Sequence, residues 1–409
     1  MKLYINDNCR FVKGFKNAAI YDFNVNKVYS INNAGRKIIE DVLEGKNIST
    51  EDKKYIEELL DLNLLSRKEY ILTDEFPNPK LNFAWLEVTE KCNLNCVHCY
   101  GQFGQPKINC KNLLTLEQWK HVIDQLIENN CFSIQFIGGE PTISPYLYTL
   151  IDYAKNKGMK KMAIFTNATI LKEEDIKILK QYGVSVRISV YGHNAKVHDS
   201  ITGKEGSFEL NKKNLLLLKK YNIPSTISVI IMKENEEYLE DIKKYVESIN
   251  YEFNGYDVIR ATDFEHRYEH SIKDYDILKS RYLCKAEFYT SKNDYMINKY
   301  MNSCWNSKFA ITSTGDILPC VFARDEIIGN VKETLIKELI NKQNEYQNIT
   351  KDMIDVCKDC EFRYSCHDCR PLAKGLYNDI HAKNPRCLYD PYTGEWKNIE
   401  TVCVEIDKN

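Results

Sequence analysis

The sequence predicts an α/β protein whose parallel sheet curves into a partial barrel. A small α+β domain precedes it and a cysteine-rich region follows. Three observations carry this prediction. Between Leu81 and about Arg260, strand-like and helix-like segments alternate six times, the pattern of a parallel sheet with crossover helices. Three thiols, Cys92, Cys96 and Cys99, follow the first of those strands. The last third of the chain then holds nine further cysteines, seven of them in a pattern that includes two CxxC pairs.

The chain has 409 residues, enough for two or three domains with at least one large core. Its 56 basic and 58 acidic residues nearly cancel, so no polyanionic partner is implied. The N-terminus, Met1-Lys2-Leu3-Tyr4-Ile5-Asn6-Asp7, lacks the apolar stretch of a signal peptide. Apolar runs such as Leu215 to Leu218 and Val229 to Met232 are too short to span a membrane. A soluble, cytoplasmic protein is expected. In such a setting fifteen cysteines argue for metal rather than disulfides.

Residues 1–76 read as the α+β domain. Ala18 to Phe23 and Lys27 to Ile31 are strand-like runs separated by Asn24-Val25-Asn26, a hairpin pattern. A helix capped by Asn33 follows, with Ile38, Ile39, Val42 and Leu43 on one face and Gly45 after it. A second helix starts at Ser49-Thr50, and Glu69-Tyr70-Ile71-Leu72 closes as a short strand. Nothing here has the pattern of a metal or catalytic site, so the domain is expected to bind. Its order of elements resembles the PqqD-like leader-recognition domain of peptide-modifying systems, and otherwise an ordinary winged-helix module. The resemblance implies an edge strand that captures an extended leader peptide by sheet addition. No basic excess supports nucleic-acid binding.

Pro77 and Pro79 mark a linker into the barrel, predicted over 81–283. Its strands are read at Leu81 to Val88, Ser133 to Ile137, Lys161 to Thr166, Ser185 to Val190, Ser225 to Met232 and Gly255 to Arg260. Thr115-Leu116-Glu117-Gln118 is a capping box, Gly158 ends a helix and Ser207 caps another. Six units do not close an eight-fold ring, which leaves a lateral opening for a peptide. Functional residues belong at the C-terminal ends of the strands.

Cys92, Cys96 and Cys99 lie at such an end. Three soft ligands suit iron–sulfur or zinc, and three leave one position open, as catalytic metal sites do. An incomplete zinc knuckle or unrelated thiols are the other readings. The spacing C-x3-C-x2-C resembles the signature of the radical S-adenosylmethionine (radical SAM) family. It implies a 4Fe–4S cluster whose fourth iron chelates the amino and carboxylate groups of SAM. Gly138-Gly139-Glu140-Pro141 matches the family motif that holds the SAM amino group. Thr166-Asn167 and Ser189-Val190-Tyr191-Gly192 stand where the family contacts the SAM ribose and carboxylate. His98 takes the usually aromatic place beside the adenine, and Tyr100 is assigned to the same cofactor. The family often has His-Asp followed by a basic residue. Here His198-Asp199 is followed by Thr202-Gly203-Lys204, which leaves the basic carboxylate contact unassigned.

In the predicted C-terminal domain, residues 284–409, paired CxxC units suggest a zinc ribbon first, but seven thiols do not divide into closed four-thiol sites. The arrangement resembles the SPASM extension of radical SAM enzymes, which binds two auxiliary 4Fe–4S clusters. The resemblance implies one cluster on Cys357, Cys360, Cys366 and Cys387, and another on Cys304, Cys320 and Cys369. The Cys366–Cys369 spacing is one residue shorter than the usual pattern, which leaves the division between clusters open. Cys284 is the nearest upstream candidate for a fourth ligand. Cys9, Cys110, Cys131 and Cys403 have no partner pattern and are read as buried or surface residues.

Together these resemblances imply a maturase of ribosomally made peptides with three 4Fe–4S clusters, one of them SAM-binding, and no assigned catalytic side chain. Reductive cleavage of SAM would give a 5′-deoxyadenosyl radical that takes hydrogen from the substrate. The expected partners are a precursor peptide with a leader segment and a reductant such as flavodoxin or ferredoxin, with no nucleic acid and no membrane. Thioether formation from a peptide cysteine to a carbon is the favoured outcome. A carbon–carbon link, epimerisation, formylglycine formation in a sulfatase, and a zinc scaffold without chemistry are the alternatives. The precursor and the bond's regiochemistry are not legible in the sequence.

Overall fold

The computed structural model describes residues 2–77, 80–104, 112–260, 269–270 and 288–396. The chain divides into two compact units. The first joins residues 1–78 to 282–304 and 347–409, and the second comprises 79–281 and 305–346.

In the first unit, β1 (Tyr4–Ile5), β2 (Cys9–Lys13), β3 (Ala18–Asp22) and β4 (Lys27–Ile31) precede two helices, α1 (Asn33–Leu43) and α2 (Thr50–Asp61). β5 (Leu65–Ser66) pairs with β1, and β2, β3 and β4 form an antiparallel sheet in that order. The side chain of Asn32, not Asn33, caps α1 by accepting from the amide of Gly35, and Ser49 caps α2. The helices pack Ile39, Val42, Ile56 and Leu59 against Ala18 and Ile20 on one sheet face. The other face, Val12, Ala19, Tyr21 and Val28, packs against Tyr295, Met296, Phe362, Tyr364 and Tyr389. Every residue of β3 is therefore buried. The expected strand at Glu69–Leu72 does not form. The pairing goes instead to Leu65–Ser66, which lies directly after the turn that ends α2, and Ile71 is 90% exposed. The start of the β4 edge is not free. Val28 donates to the carbonyl of Phe288, and Thr290 donates to that of Asn26.

The second unit is built on β6 (Phe83–Glu87), β7 (Ser133–Ile137), β8 (Lys161–Thr166), β9 (Ser185–Val190), β10 (Ser225–Ile231) and β11 (Asp257–Val258), all parallel. Helices α3 (Leu116–Glu128), α4 (Leu147–Asn156), α5 (Glu173–Tyr182), α6 (Ala195–Thr202), α7 (Ser207–Lys220) and α8 (Leu239–Ser248) lie between them. The capping box at Thr115 and Gln118 forms as read. Ser207 is not the cap of α7 but its first residue. Asp199 holds that helix start, accepting from the amides of Gly206 and Phe208 and from the Ser207 hydroxyl.

Three further strands, β12 (Lys308–Ile311), β13 (Asp316–Leu318) and β14 (Gly329–Asn330), extend this sheet beyond β6, the first parallel and the others antiparallel. They come from the stretch read as the start of the cysteine-rich domain. Among the described residues the sheet has nine strands, with β11 and β14 at its two ends. Two registers of side chains divide the work. In β8, Met162, Ile164 and Thr166 are buried, whereas Ala163 and Phe165 on the opposite face are half-buried.

Candidate metal and cofactor sites

The cysteine loop leaves the end of β6 and is fixed from two sides. On one side Gly139 donates to the carbonyl of Thr89 at 3.0 Å and Glu140 to that of Lys91 at 2.8 Å. A Cβ on Gly138, whose φ is +146°, would lie 2.2 Å from the Thr89 carbonyl oxygen, and one on Gly139 would lie 2.3 Å from that of Lys91. The two glycines thus admit the cysteine loop itself. On the other side Asn95 and Val97 donate to the carbonyls of Thr202 and Ile201 at the end of α6. Gly139→Ala is expected to displace the 89–92 segment and lower iron at this site while leaving C-terminal iron in place. Iron analysis beside matched variants of the C-terminal cysteines checks it.

Within that frame Cys92, Cys96 and Cys99 line one cavity of about 530 Å³ together with His98, Tyr100, Gly138, Gly139, Thr166, Asn167 and Ser189. Ten of the eleven barrel-site positions named from sequence meet in one place. Glu140 does not line the cavity. Its carboxylate is fully buried and accepts from Thr142, from the Thr166 hydroxyl at 2.7 Å and from the Asn167 amide at 2.8 Å. It ties the ends of β7 and β8 together, and burial raises its pKa.

The thiols fit a cluster. Burial raises Cys92 to about 11 and Cys96 to about 12, so ligation must displace their protons. The amide of Leu94 donates to Cys92 Sγ at 3.5 Å and that of Phe103 to Cys99 Sγ at 3.4 Å. Such N–H···S contacts orient thiolate ligands and tune Fe–S potentials. Among the described residues no group of three His, Cys, Asp or Glu converges on one metal ion.

His98 is half-buried, its Nδ1 has no hydrogen-bond partner among the described residues, and desolvation lowers its pKa to about 4. Its ring packs 4.6 Å from that of Tyr191. His198 does not reach the cavity. It is buried, and its Nδ1 accepts from the amide of Tyr191 at 3.4 Å.

Cavity residues missed from sequence include Trp85, Gln135, Arg187, Thr226 and Ser228. Their signal was present in the alternation of β9. Ser185, Arg187 and Ser189 share one face and Val186, Ile188 and Val190 the other, so the polar face points into the barrel. Glu87 and Arg324 were missed too. Glu87, wholly buried at the end of β6, accepts from Arg324 at 2.6 Å, and Arg324 follows β13 beside the ring of Phe103.

In the first unit Cys357, Cys360, Cys366 and Cys387 line one cavity with Lys351, Arg363 and Tyr389. Burial raises the Cys357 and Cys360 thiols, and the amide of Phe362 donates to Cys360 Sγ at 3.4 Å. Lys351, buried and paired with Asp368, offers positive charge to these thiols. The quartet assigned to one auxiliary cluster is thus brought together. Cys304 and Cys369 belong to this unit and Cys320 to the other. Cys9 and Cys131 are fully buried, with pKa raised by burial to about 12 and 11. Cys110, Cys284 and Cys403 lie outside the described residues. No disulfide joins the described cysteines, and no described helix is long and apolar enough to cross a membrane.

Residues 86–246 match the Radical SAM superfamily and residues 304–361 the SPASM iron–sulfur cluster-binding domain. The subtilosin biosynthesis protein AlbA of Bacillus subtilis, described as acting for an antilisterial bacteriocin, is 28% identical over 76% of this chain and 71% of its own. An AdoMet-dependent heme synthase of Methanosarcina barkeri is 24% identical over 76% of this chain and 97% of its own. Streptococcus suis SuiB, solved with its precursor peptide SuiA, superposes with a TM-score of 0.59 at 16% identity, covering 93% of this chain and 98% of that one. This last likeness is one of fold.

Proposed function

The chain belongs to the radical SAM superfamily with a SPASM domain, and from that premise we propose that it matures a ribosomally made peptide by forming cysteine-to-carbon thioethers. It is an enzyme of the class that uses SAM and 4Fe–4S clusters. The observation that carries the peptide reading is the similarity to AlbA across most of both chains. The three-stranded antiparallel sheet near the N-terminus is the element that the PqqD-like resemblance would use for leader capture.

The bound cluster and SAM supply reductive cleavage of the sulfonium and, through it, hydrogen abstraction from an unactivated carbon. The chain's own residues hold and enclose these groups. Cys92, Cys96 and Cys99 are the ligands, and Gly138 and Gly139 present backbone to the cavity. Asn167 and Ser189 offer polar contacts to the ribose and methionine portions, and His98 and Tyr191 an aromatic wall. Cys357, Cys360, Cys366 and Cys387 hold one auxiliary cluster. The SPASM resemblance assigns Cys304, Cys320 and Cys369 to the other.

The test uses the short cysteine-rich peptide encoded nearest the gene, with SAM and a low-potential reductant. The expected product has lost one pair of hydrogens per bond, and its modified cysteines resist alkylation. Lost hydrogens with every thiol still alkylatable would replace the thioether with a carbon–carbon link. An unchanged mass with a D-residue would make the enzyme an epimerase.

Leader capture is assigned to the β4 edge. The outward amide of Val28 is already used, and Ser30, two residues on, turns its N–H to the same side. Ser30→Pro removes that donor. It is expected to weaken leader binding to the full chain at least tenfold, whereas Ser30→Ala leaves it unchanged and both variants still cleave SAM without peptide. Fluorescence anisotropy of a labelled leader reads this. Equal affinity for all three proteins moves the leader elsewhere.

A further inference from the structure

A 4Fe–4S cluster on four thiolates carries a net negative charge that grows when the cluster is reduced. A fixed cation close by and out of water therefore makes reduction easier. The cavity of Cys357, Cys360, Cys366 and Cys387 is lined by Lys351, Arg363, His367 and Lys383, and by no acidic residue among those described. These four basic residues are not equivalent. His367 is exposed and Lys383 half-buried, where water and salt screen their charge. Arg363 is paired with Asp352 at 2.7 Å. Glu361, next to Cys360 in the chain, does not line the cavity and is bonded to the Tyr389 hydroxyl.

Lys351 differs from the rest. Its side chain is 6% exposed, and its ammonium lies 3.3 Å from the carboxylate of Asp368, itself 2% exposed. That carboxylate is shared. Its other oxygen accepts from Arg370 at 2.6 Å and from the amide of Cys369 at 2.8 Å, and Arg370 is wholly buried. Two buried cations thus divide one anion that stands in the short spacer between Cys366 and Cys369. Taking a lysine out of water is costly, and half of a carboxylate does not offset it. The three residues keep one net positive charge, and Cys357 and Cys366 lie within the electrostatic reach of Lys351. Arg370 also donates to the carbonyls of Ile380 and Ala382 and does not line the cavity, so Lys351 is the buried cation on its wall.

We propose that Lys351 sets the potential of the cluster held by this quartet, raising it so that the cluster takes up an electron more readily than its thiolates alone would allow. Asp368 is the positioning residue that keeps the ammonium against the thiols, and Arg370 keeps Asp368 in place. The inference rests on the reading of this cavity as an auxiliary-cluster site.

Redox titration with dithionite, followed by electron paramagnetic resonance, tests it on the anaerobically reconstituted full chain. A background of Cys92→Ala, Cys96→Ala and Cys99→Ala removes the signal of the barrel site, and replacing the quartet by Ala identifies the signal that belongs to it. Lys351→Gln keeps a donor for Asp368, Lys351→Met keeps the length of the stem, and both remove the charge. In each, the quartet's cluster is expected to hold an electron about tenfold less well or weaker still, a fall in midpoint of about 59 mV for one electron. Lys351→Arg keeps the charge and should stay within about threefold of wild type. Iron content equal to wild type establishes that the variants hold their clusters. An unchanged midpoint in the neutral variants overturns the assignment, as does an equal fall in Lys351→Arg, which makes the effect one of packing. Full iron retained after the quartet is replaced by Ala sinks the reading of the cavity instead.

Discussion

Replacing Cys92, Cys96 and Cys99 together by Ala is expected to lower iron from about twelve to about eight per chain and to abolish 5′-deoxyadenosine formation from SAM, given one 4Fe–4S cluster per thiolate set. The loop should keep its place in the variant. Its anchors are main-chain bonds, from Gly139 and Glu140 to Thr89 and Lys91 and from Asn95 and Val97 to Thr202 and Ile201. None of these involves a cysteine side chain, so the loss is one of ligands and not of fold. Residual 5′-deoxyadenosine from the triple variant under reducing conditions would remove the assignment. Replacing Cys357, Cys360, Cys366 and Cys387 should take a similar share of iron and spare the uncoupled cleavage of SAM.

Arg324→Leu is expected to cost about 3–5 kcal/mol of stability, because it leaves the Glu87 carboxylate buried without its cation. Glu87 has no solvent access, and the pair is bonded at 2.6 Å. Desolvation of Arg324 opposes its charge, and the carboxylate more than offsets this, holding the guanidinium's pKa above its usual value. The double variant Glu87→Leu, Arg324→Leu should recover most of the loss, since two apolar groups replace two charges. Urea unfolding of the four proteins of this cycle reads the coupling directly. A single variant within about 1 kcal/mol of wild type would mean that the carboxylate finds water or another donor, against its burial.

The sequence made the barrel strands legible because each is a short apolar run between turn residues. Four of the six begin at the residue read for them. It made the thiols and the Gly-Gly pair legible because their spacing is local. Other features were hidden for a physical reason. β12 to β14 join the sheet through contacts more than two hundred residues from β6, which no local period records. Glu69 to Leu72 has strand-like composition, but composition does not supply a partner edge. Arg187 shows the opposite case. Its alternation was present in the sequence, yet an apolar strand with one arginine reads as half-exposed until the barrel interior is known to be the polar side.

The double burial of β3 has a consequence for how the chain comes to be folded during synthesis. Its helix-covered face can form once about the first 66 residues have left the ribosome. Its second face, Val12, Ala19, Tyr21 and Val28, waits for Tyr295, Phe362, Tyr364 and Tyr389. Translating the barrel between them takes on the order of tens of seconds. During that interval an apolar sheet face is open to solvent, to chaperones and to other nascent chains. The Cys357–Cys387 cavity shares Tyr389 with that face, so auxiliary-cluster insertion and the completion of the N-terminal sheet fall at the same late moment. Iron starvation should then appear as proteolysis near the N-terminus, far in sequence from any of those four thiols.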